Sequence, residues 1–126
     1  MDTAREANKD MVRRLVGVIN EWHLEDLDEL FEPSSASKAR GDFESFHAAF
    51  PDWRMDLLEL IAEGDTVVAR FRCHGTNEGP WQDAPATGKK MSVDEVFFFR
   101  FRNGRIRSSW GLEDTWARMN QLGLVR

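Results

Sequence analysis

The sequence predicts an α+β domain in which helices cover one side of a curved antiparallel sheet. Three observations carry this. Apolar residues of the first 50 positions recur at helical spacing. After Pro51 the period changes to two, in four long runs joined by the turn pairs Gly64-Asp65 and Asn103-Gly104. A last short helical segment closes the chain. Helices, then consecutive hairpins, then a helix is an α+β order. The 126 residues fit one domain, residues 1–126.

The first helix is read from Met11, Val12, Leu15, Val16, Val18, Ile19 and Trp22. A short second helix runs from Glu25 to Phe31, and Pro33 is expected to stop it. Pro33 to Gly41, rich in Ser and Ala, reads as a loop. Asp42 is placed to cap a third helix, with Phe43, Phe46 and Phe50 on one face and Pro51 at its end. Strands are expected at Trp53–Glu63 and Thr66–Gly75. The apolar phase slips at Leu57-Leu58, which predicts either a bulge or a loop longer than Gly64-Asp65. Gly75 to Gly88 is a long connection containing Trp81. Met91–Arg102 and Arg105–Leu112 form a second hairpin, since Asn-Gly supplies the two positive-φ positions of a tight turn. The last helix, Thr115 to Leu122, ends before Gly123.

Composition removes several function classes. With 17 basic and 22 acidic residues the net charge is −5, a poor footprint for nucleic acid. No apolar run approaches the ~18 residues of a membrane span. The single Cys73 forms no intrachain disulfide. The polar start is unlike a secretory signal. These features predict a cytoplasmic, reduced, soluble domain. His23, His47 and His74 stand at no metal-ligand spacing, so no metal site is expected. Five Trp and nine Phe with no Tyr predict a wide aromatic interior.

The candidate site follows from the second hairpin. A two-residue loop at Asn103-Gly104 pairs Arg102 with Arg105. Continued without a break, the ladder pairs Phe101 with Ile106, Phe99 with Ser108, Phe97 with Trp110 and Glu95 with Leu112, and Val93 with Asp114 at its end. The opposite side carries Asp94, Arg100, Arg102, Arg105, Arg107 and Glu113, with Val96 and Phe98 as exceptions, so it is the wetter side. The first side is therefore inside, and it holds Glu95 and Asp114 among aromatic rings. Burial and a neighbouring acid both raise a carboxyl's pKa, as acid–base work near neutral pH requires. Two plainer readings stay open. Asp114 stands just before Thr115 and also fits an N-cap. Glu95 also fits an ion pair with an arginine of a neighbouring strand, or a wet cavity mouth.

The chain resembles the SnoaL-like polyketide cyclase family. The resemblance is carried by the segment Phe50 to Arg70, Gly75-Thr-Asn-Glu-Gly79, Pro85-Ala-Thr-Gly-Lys-Lys90, Phe99-Arg-Phe-Arg-Asn-Gly-Arg-Ile106, Trp110-Gly-Leu-Glu-Asp114 and Gln121-Leu-Gly123. It spans about Val12 to Leu124. It implies a cone-shaped α+β barrel: a strongly curved, mostly antiparallel sheet wrapped on three N-terminal helices around an apolar cavity. It also implies intramolecular aldol cyclisation of an aromatic carbonyl compound without metal or organic cofactor, with Asp114 in the family's acid–base position. Glu95 stands where the family has a pocket glutamine, and Phe97 where it has a histidine. Asn77 replaces a common histidine, and Pro33–Gly41 is shorter than the family's loop.

Together these readings make the chain a cofactor-independent cyclase or isomerase. Asp114 and Glu95 are the expected acid–base pair, and Trp53, Phe71, Trp81, Phe97 and Trp110 the walls of the substrate pocket. The expected partners are a small hydrophobic substrate and a second copy of the chain, with neither nucleic acid nor membrane. Two alternatives are an epoxide hydrolase-like enzyme, with Arg70 or Arg72 between two acids, and a non-catalytic binding or assembly module.

Overall fold

The computed structural model describes residues 3–125. In chain order its elements are α1 (Thr3–Glu21), a 3₁₀ turn (Leu24–Asp26), α2 (Leu27–Leu30), α3 (Pro33–Ala49), β1 (Arg54–Glu63), β2 (Thr66–Thr76), β3 (Lys90–Arg102), β4 (Arg105–Glu113) and α4 (Thr115–Gln121). The four strands form one curved antiparallel sheet in the order β1-β2-β3-β4.

α1 starts earlier than the apolar pattern suggested, because Asn8 continues the buried stripe of Val12, Leu15, Val18 and Ile19 by one turn. It ends at Trp22, which adopts a left-handed φ of 60° while the His23 amide reaches back to the Val18 carbonyl at 2.9 Å. The Trp22 ring lies flat on His47, 3.9 Å between centroids, which holds this uncommon conformation. The expected second helix divides into the 3₁₀ turn and the four-residue α2.

Pro33 to Gly41 is not a loop. It is the first half of α3, and Pro33 starts that helix instead of stopping the one before. Proline fits a helix's first turn, where its missing N–H would have had no partner. Asp42 is consequently mid-helix and pairs with Lys38 one turn back at 2.9 Å. Ala36, Ala39 and Ala49 are its buried positions, their small side chains letting α3 lie close.

The bulge in β1 sits where the phase slips: Leu57 pairs with Phe71 and Glu59 with Arg70, so Leu58 is extra and exposed. β1 is a sheet edge, and Asn20 of α1 closes part of it. Its side-chain amide donates to the Met55 carbonyl at 2.9 Å and accepts from the Met55 amide at 2.8 Å, acting as one residue of a fifth strand. Asn20→Ala leaves both groups unpaired and is expected to cost roughly 1–3 kcal/mol, read as a lower denaturation midpoint.

β3 and β4 turn at Asn103 (φ 51°) and Gly104 (φ 79°), as the Asn-Gly pair predicted. The unbroken ladder is corrected beyond that turn. Phe101 pairs with Ile106, but Arg100 pairs with Ser108, so Arg107 is an extra residue in β4. The junction between α2 and α3 runs alongside: the Glu32 amide donates to the Ile106 carbonyl at 2.9 Å, and the Ser35 hydroxyl donates to the Arg107 carbonyl. A straight β4 would turn the Arg107 carbonyl into the ladder opposite Arg100, whereas here it faces Ser35. A one-residue slip reverses the faces of everything beyond it. Trp110 and Leu112 therefore lie on the outer face opposite Phe98 and Val96, while Gly111 and Glu113 turn inward opposite Phe97 and Glu95.

Candidate active site

The inner face of β3 alternates Met91, Val93, Glu95, Phe97, Phe99 and Phe101 towards the helices. Glu95 is 3% exposed. It is flanked on β2 by Cys73 and Phe71, opposed on β4 by Glu113, and met from α4 by Arg118. Arg118 is also buried, and its Nη2 donates to Glu95 Oε2 at 3.1 Å. Its Nη1 forms an ion pair with Glu113 through charge proximity, without hydrogen-bond alignment. The guanidinium lies over the Trp81 ring, 4.8 Å from the centroid, and near Phe46 at 5.7 Å. One cation thus joins two carboxylates and two aromatic walls.

A cavity of about 770 Å³ opens in front of this cluster. Glu95, Phe97, Gly111 and Glu113 line it from the sheet, Phe46 from α3, and Trp81 from the connection between β2 and β3. Gly111 leaves room there for the Phe97 ring: a Cβ would lie 2.8 Å from Phe97 Cε2 and would displace it. The Trp81 connection is held by Asn77, which is buried. Its Nδ2 donates to the Gly79 carbonyl at 2.7 Å, and its Oδ1 accepts from the Thr87 amide and hydroxyl at 2.9 and 3.0 Å. Gly79 passes so near α3 that a Cβ would sit 2.1 Å from the Ala48 carbonyl oxygen. No other residue could bring this chain so close.

Burial is the largest influence on Glu95 and pushes its pKa up to about 7. Arg118 opposes the rise, Glu113 adds to it, and the Cys73 thiol also favours the charged form. Burial first, and the Glu95 charge second, push the Cys73 thiol up as well, so it stays protonated. The stability consequence has a definite sign. The unfolded chain loses the Glu95 proton near the ordinary value of 4.5, the folded chain near 7. Between those values the folded state binds more protons, so this contribution is fully present below pH 4.5 and is lost as pH rises through 7. At about 1.4 kcal/mol per pH unit the window is worth roughly 3 kcal/mol. Glu95→Gln is expected to remove that slope, gaining on the wild type between pH 5 and 8 in parallel denaturant titrations.

The residues expected at the site fall into four places. Glu95, Phe97 and Trp81 meet at the cavity. Trp53 and Phe71 stand behind it. Trp53 stacks on Phe46 at 4.7 Å, and Phe71 meets Phe97 edge-on at 5.9 Å. The Trp53 indole N–H is buried with no acceptor among the described residues. Trp110 is corrected to the outer face, where it is 57% exposed and packs edge-on against Phe98. Asp114 is not on the inner face of the ladder. It caps α4, its Oδ1 accepting from the Ala117 amide at 3.0 Å, and its side chain is exposed.

The surplus of tryptophan is therefore only partly interior, since Trp116 is exposed too. Arg70 and Arg72 lie on the outer face, paired with Glu59 and Asp94, and do not reach the cavity. Sequence reasoning missed Glu113 and Arg118. The adjacent acids Glu113-Asp114 were the available signal, but the bulge that selects between them leaves no mark in the composition. His74 pairs with Asp56 on the outer side at 2.7 Å. Among the described residues no group of three or more His, Cys, Asp or Glu could hold a metal, and no helix is long and apolar enough to cross a membrane.

Comparison with known proteins agrees with this architecture. A family model described as SnoaL-like polyketide cyclase matches residues 5–122. The chain is 26% identical over 130 residues to aklanonic acid methyl ester cyclase DnrD of Streptomyces peucetius, covering 90% of this chain and 89% of that protein. Among solved structures, TsrD from Streptomyces laurentii matches with a TM-score of 0.89 at 24% identity, covering 96% of this chain and 98% of that one. A SnoaL-like polyketide cyclase from Agrobacterium tumefaciens matches at 0.83 and 22%, covering 92% and 98%. At those identities the structural matches speak for the cone fold alone.

Proposed function

The chain belongs to the SnoaL-like polyketide cyclase family, and from that premise we propose that it closes or isomerises a small, hydrophobic, ring-bearing carbonyl compound by acid–base chemistry at Glu95. The observation that carries this is a carboxyl buried at the wall of an aromatic-lined cavity, where burial pushes its pKa up to about 7. As carboxylate, Glu95 takes a proton from the carbon beside the substrate carbonyl. The resulting carbanion attacks a second carbonyl of the same molecule. The alkoxide that forms then takes the proton back from Glu95. The sequence balances as an isomerisation and, as written, uses no metal or organic cofactor. Phe46, Trp81 and Phe97 offer ring faces and edges to a flat substrate.

In this reading Asp114 acts one step away. By capping α4 it fixes the helix that delivers Arg118, whose amide donates to the Asp114 carbonyl at 3.1 Å. A homodimer through the outer face of the sheet belongs to the same proposal. Its support is the apolar strip of Val96, Phe98, Trp110 and Leu112 there. A monomer mass in sedimentation would remove that part.

A second reading has its own observation in favour. An arginine between two carboxylates at a cavity wall suits addition of water to a strained ether, one acid protonating the oxygen while the other activates water. Arg118 between Glu95 and Glu113 has that form; Arg70 also bridges two acids, Glu59 and Asp94, but on the outer face away from the cavity. Offering the protein neutral 1,3-dicarbonyl aromatics and, in parallel, aromatic epoxides, both in ¹⁸O-labelled water, separates the two. Ring closure gives a product isomeric with its substrate, or that product less water, whereas epoxide opening adds one labelled oxygen. Uptake of label into a diol would overturn the cyclase reading.

A further inference from the structure

Two glutamates directly opposite across an antiparallel pair repel each other, yet Glu95 and Glu113 hold that position at the cavity wall. The bulge at Arg107 created the pairing. Arg118 makes it tolerable, but divides itself to do so: Nη2 goes to Glu95 and Nη1 to Glu113. Neither acid receives the two-armed contact that makes an arginine–carboxylate pair strong.

The other groups facing Glu95 do not complete the neutralisation. From β2 comes the Cys73 thiol, which stays protonated. From α3, Lys38 and Asp42 line the cavity but pair with each other, both exposed. From α4 the remaining charge is Asp114, engaged at its helix end. The cluster therefore holds two acids and one cation. The acids also differ in hydration, the Glu95 side chain being 4% exposed and that of Glu113 26%. Burial disfavours charge most on the drier carboxyl, so a proton entering the cluster belongs on Glu95.

We propose that Glu113 is a positioning residue for Glu95: it holds one arm of the Arg118 guanidinium and so leaves Glu95 free to take up and give back a proton. This rests on the reading of Glu95 as the proton carrier. It adds that the competing carboxylate comes from β4, one residue before the acid the family resemblance selects.

The test is a site-resolved ¹³C carboxyl titration of the full chain, with Glu95→Gln to assign the resonance. In Glu113→Gln the guanidinium passes wholly to Glu95, whose acid dissociation constant should rise about tenfold or more, moving its midpoint down by a pH unit. Any pH–rate profile should move its acid limb by the same interval. Glu113→Asp, which keeps the charge, should leave the midpoint within a few tenths. An unchanged Glu95 midpoint in a folded Glu113→Gln protein overturns the proposal. Should that variant not fold, the wild type decides. The Glu113 resonance must show a second inflection at the Glu95 step, and a Glu113 indifferent to that step is equally fatal. A wild-type Glu95 titrating as an ordinary glutamate would instead refute the proton-carrier reading itself.

Discussion

Glu95→Gln is expected to lower turnover by about 10²–10⁴-fold, the usual contribution of a positioned acid–base group, with the fold retained. Glutamine keeps the shape of the side chain and an oxygen for the Arg118 Nη2 that now lies 3.1 Å away. It removes the negative charge and with it the ability to gain and lose a proton. Asp114→Asn is the matched control. Asparagine caps helices about as well as aspartate, so it can still accept from the Ala117 amide, and turnover should stay within a few-fold of the wild type. The two variants separate the acid in the cavity from the acid the family pattern selects. Near-complete loss in Asp114→Asn with little change in Glu95→Gln would move the proton carrier to Asp114.

Arg118→Met has the largest expected effect on stability. Removing one partner of a buried ionic cluster costs about 3–5 kcal/mol, because the charges left behind have lost both water and counter-ion. Here two carboxylates are stranded, and the contact with the Trp81 ring at 4.8 Å is lost as well. For a domain of this size the melting temperature should fall by roughly 10–20 °C near neutral pH. The loss should shrink as pH falls, since protonated carboxyls need no cation. It should also shrink in the double variant Glu95→Gln/Arg118→Met. A melting temperature unchanged at pH 8 would show that the cluster does not bind its charges as described.

The parts of this site legible in the sequence are those set by a single strand's alternation or by a local turn. Glu95 could be placed inward because Val93, Phe97, Phe99 and Phe101 share its phase on β3, whatever β4 does. The Asn103-Gly104 turn was legible because its backbone conformation is unwelcome to most residues. The β1 bulge showed as two adjacent leucines where alternation allows one. The bulge at Arg107 had no such signature, because Arg107, Ser108 and Ser109 are all polar and fit either phase. It depends on Ser35 and Glu32, more than 70 positions away, engaging the β4 backbone. From that one unmarked residue follow the exposure of Trp110, the inward turn of Glu113 and the space at Gly111. Pro33 was ambiguous for a related reason. A proline ends one helix or begins another, and only the packing of Ala36 and Ala39 decides which.

The titration of Glu95 itself bears most directly on the central claim that this cavity holds a proton carrier. The carboxyl resonance of the wild-type protein, assigned by its absence in Glu95→Gln, should move through a midpoint of about 7. A midpoint at or below the ordinary glutamate value of 4.5 would contradict it, marking Glu95 as a permanently charged structural partner of Arg118.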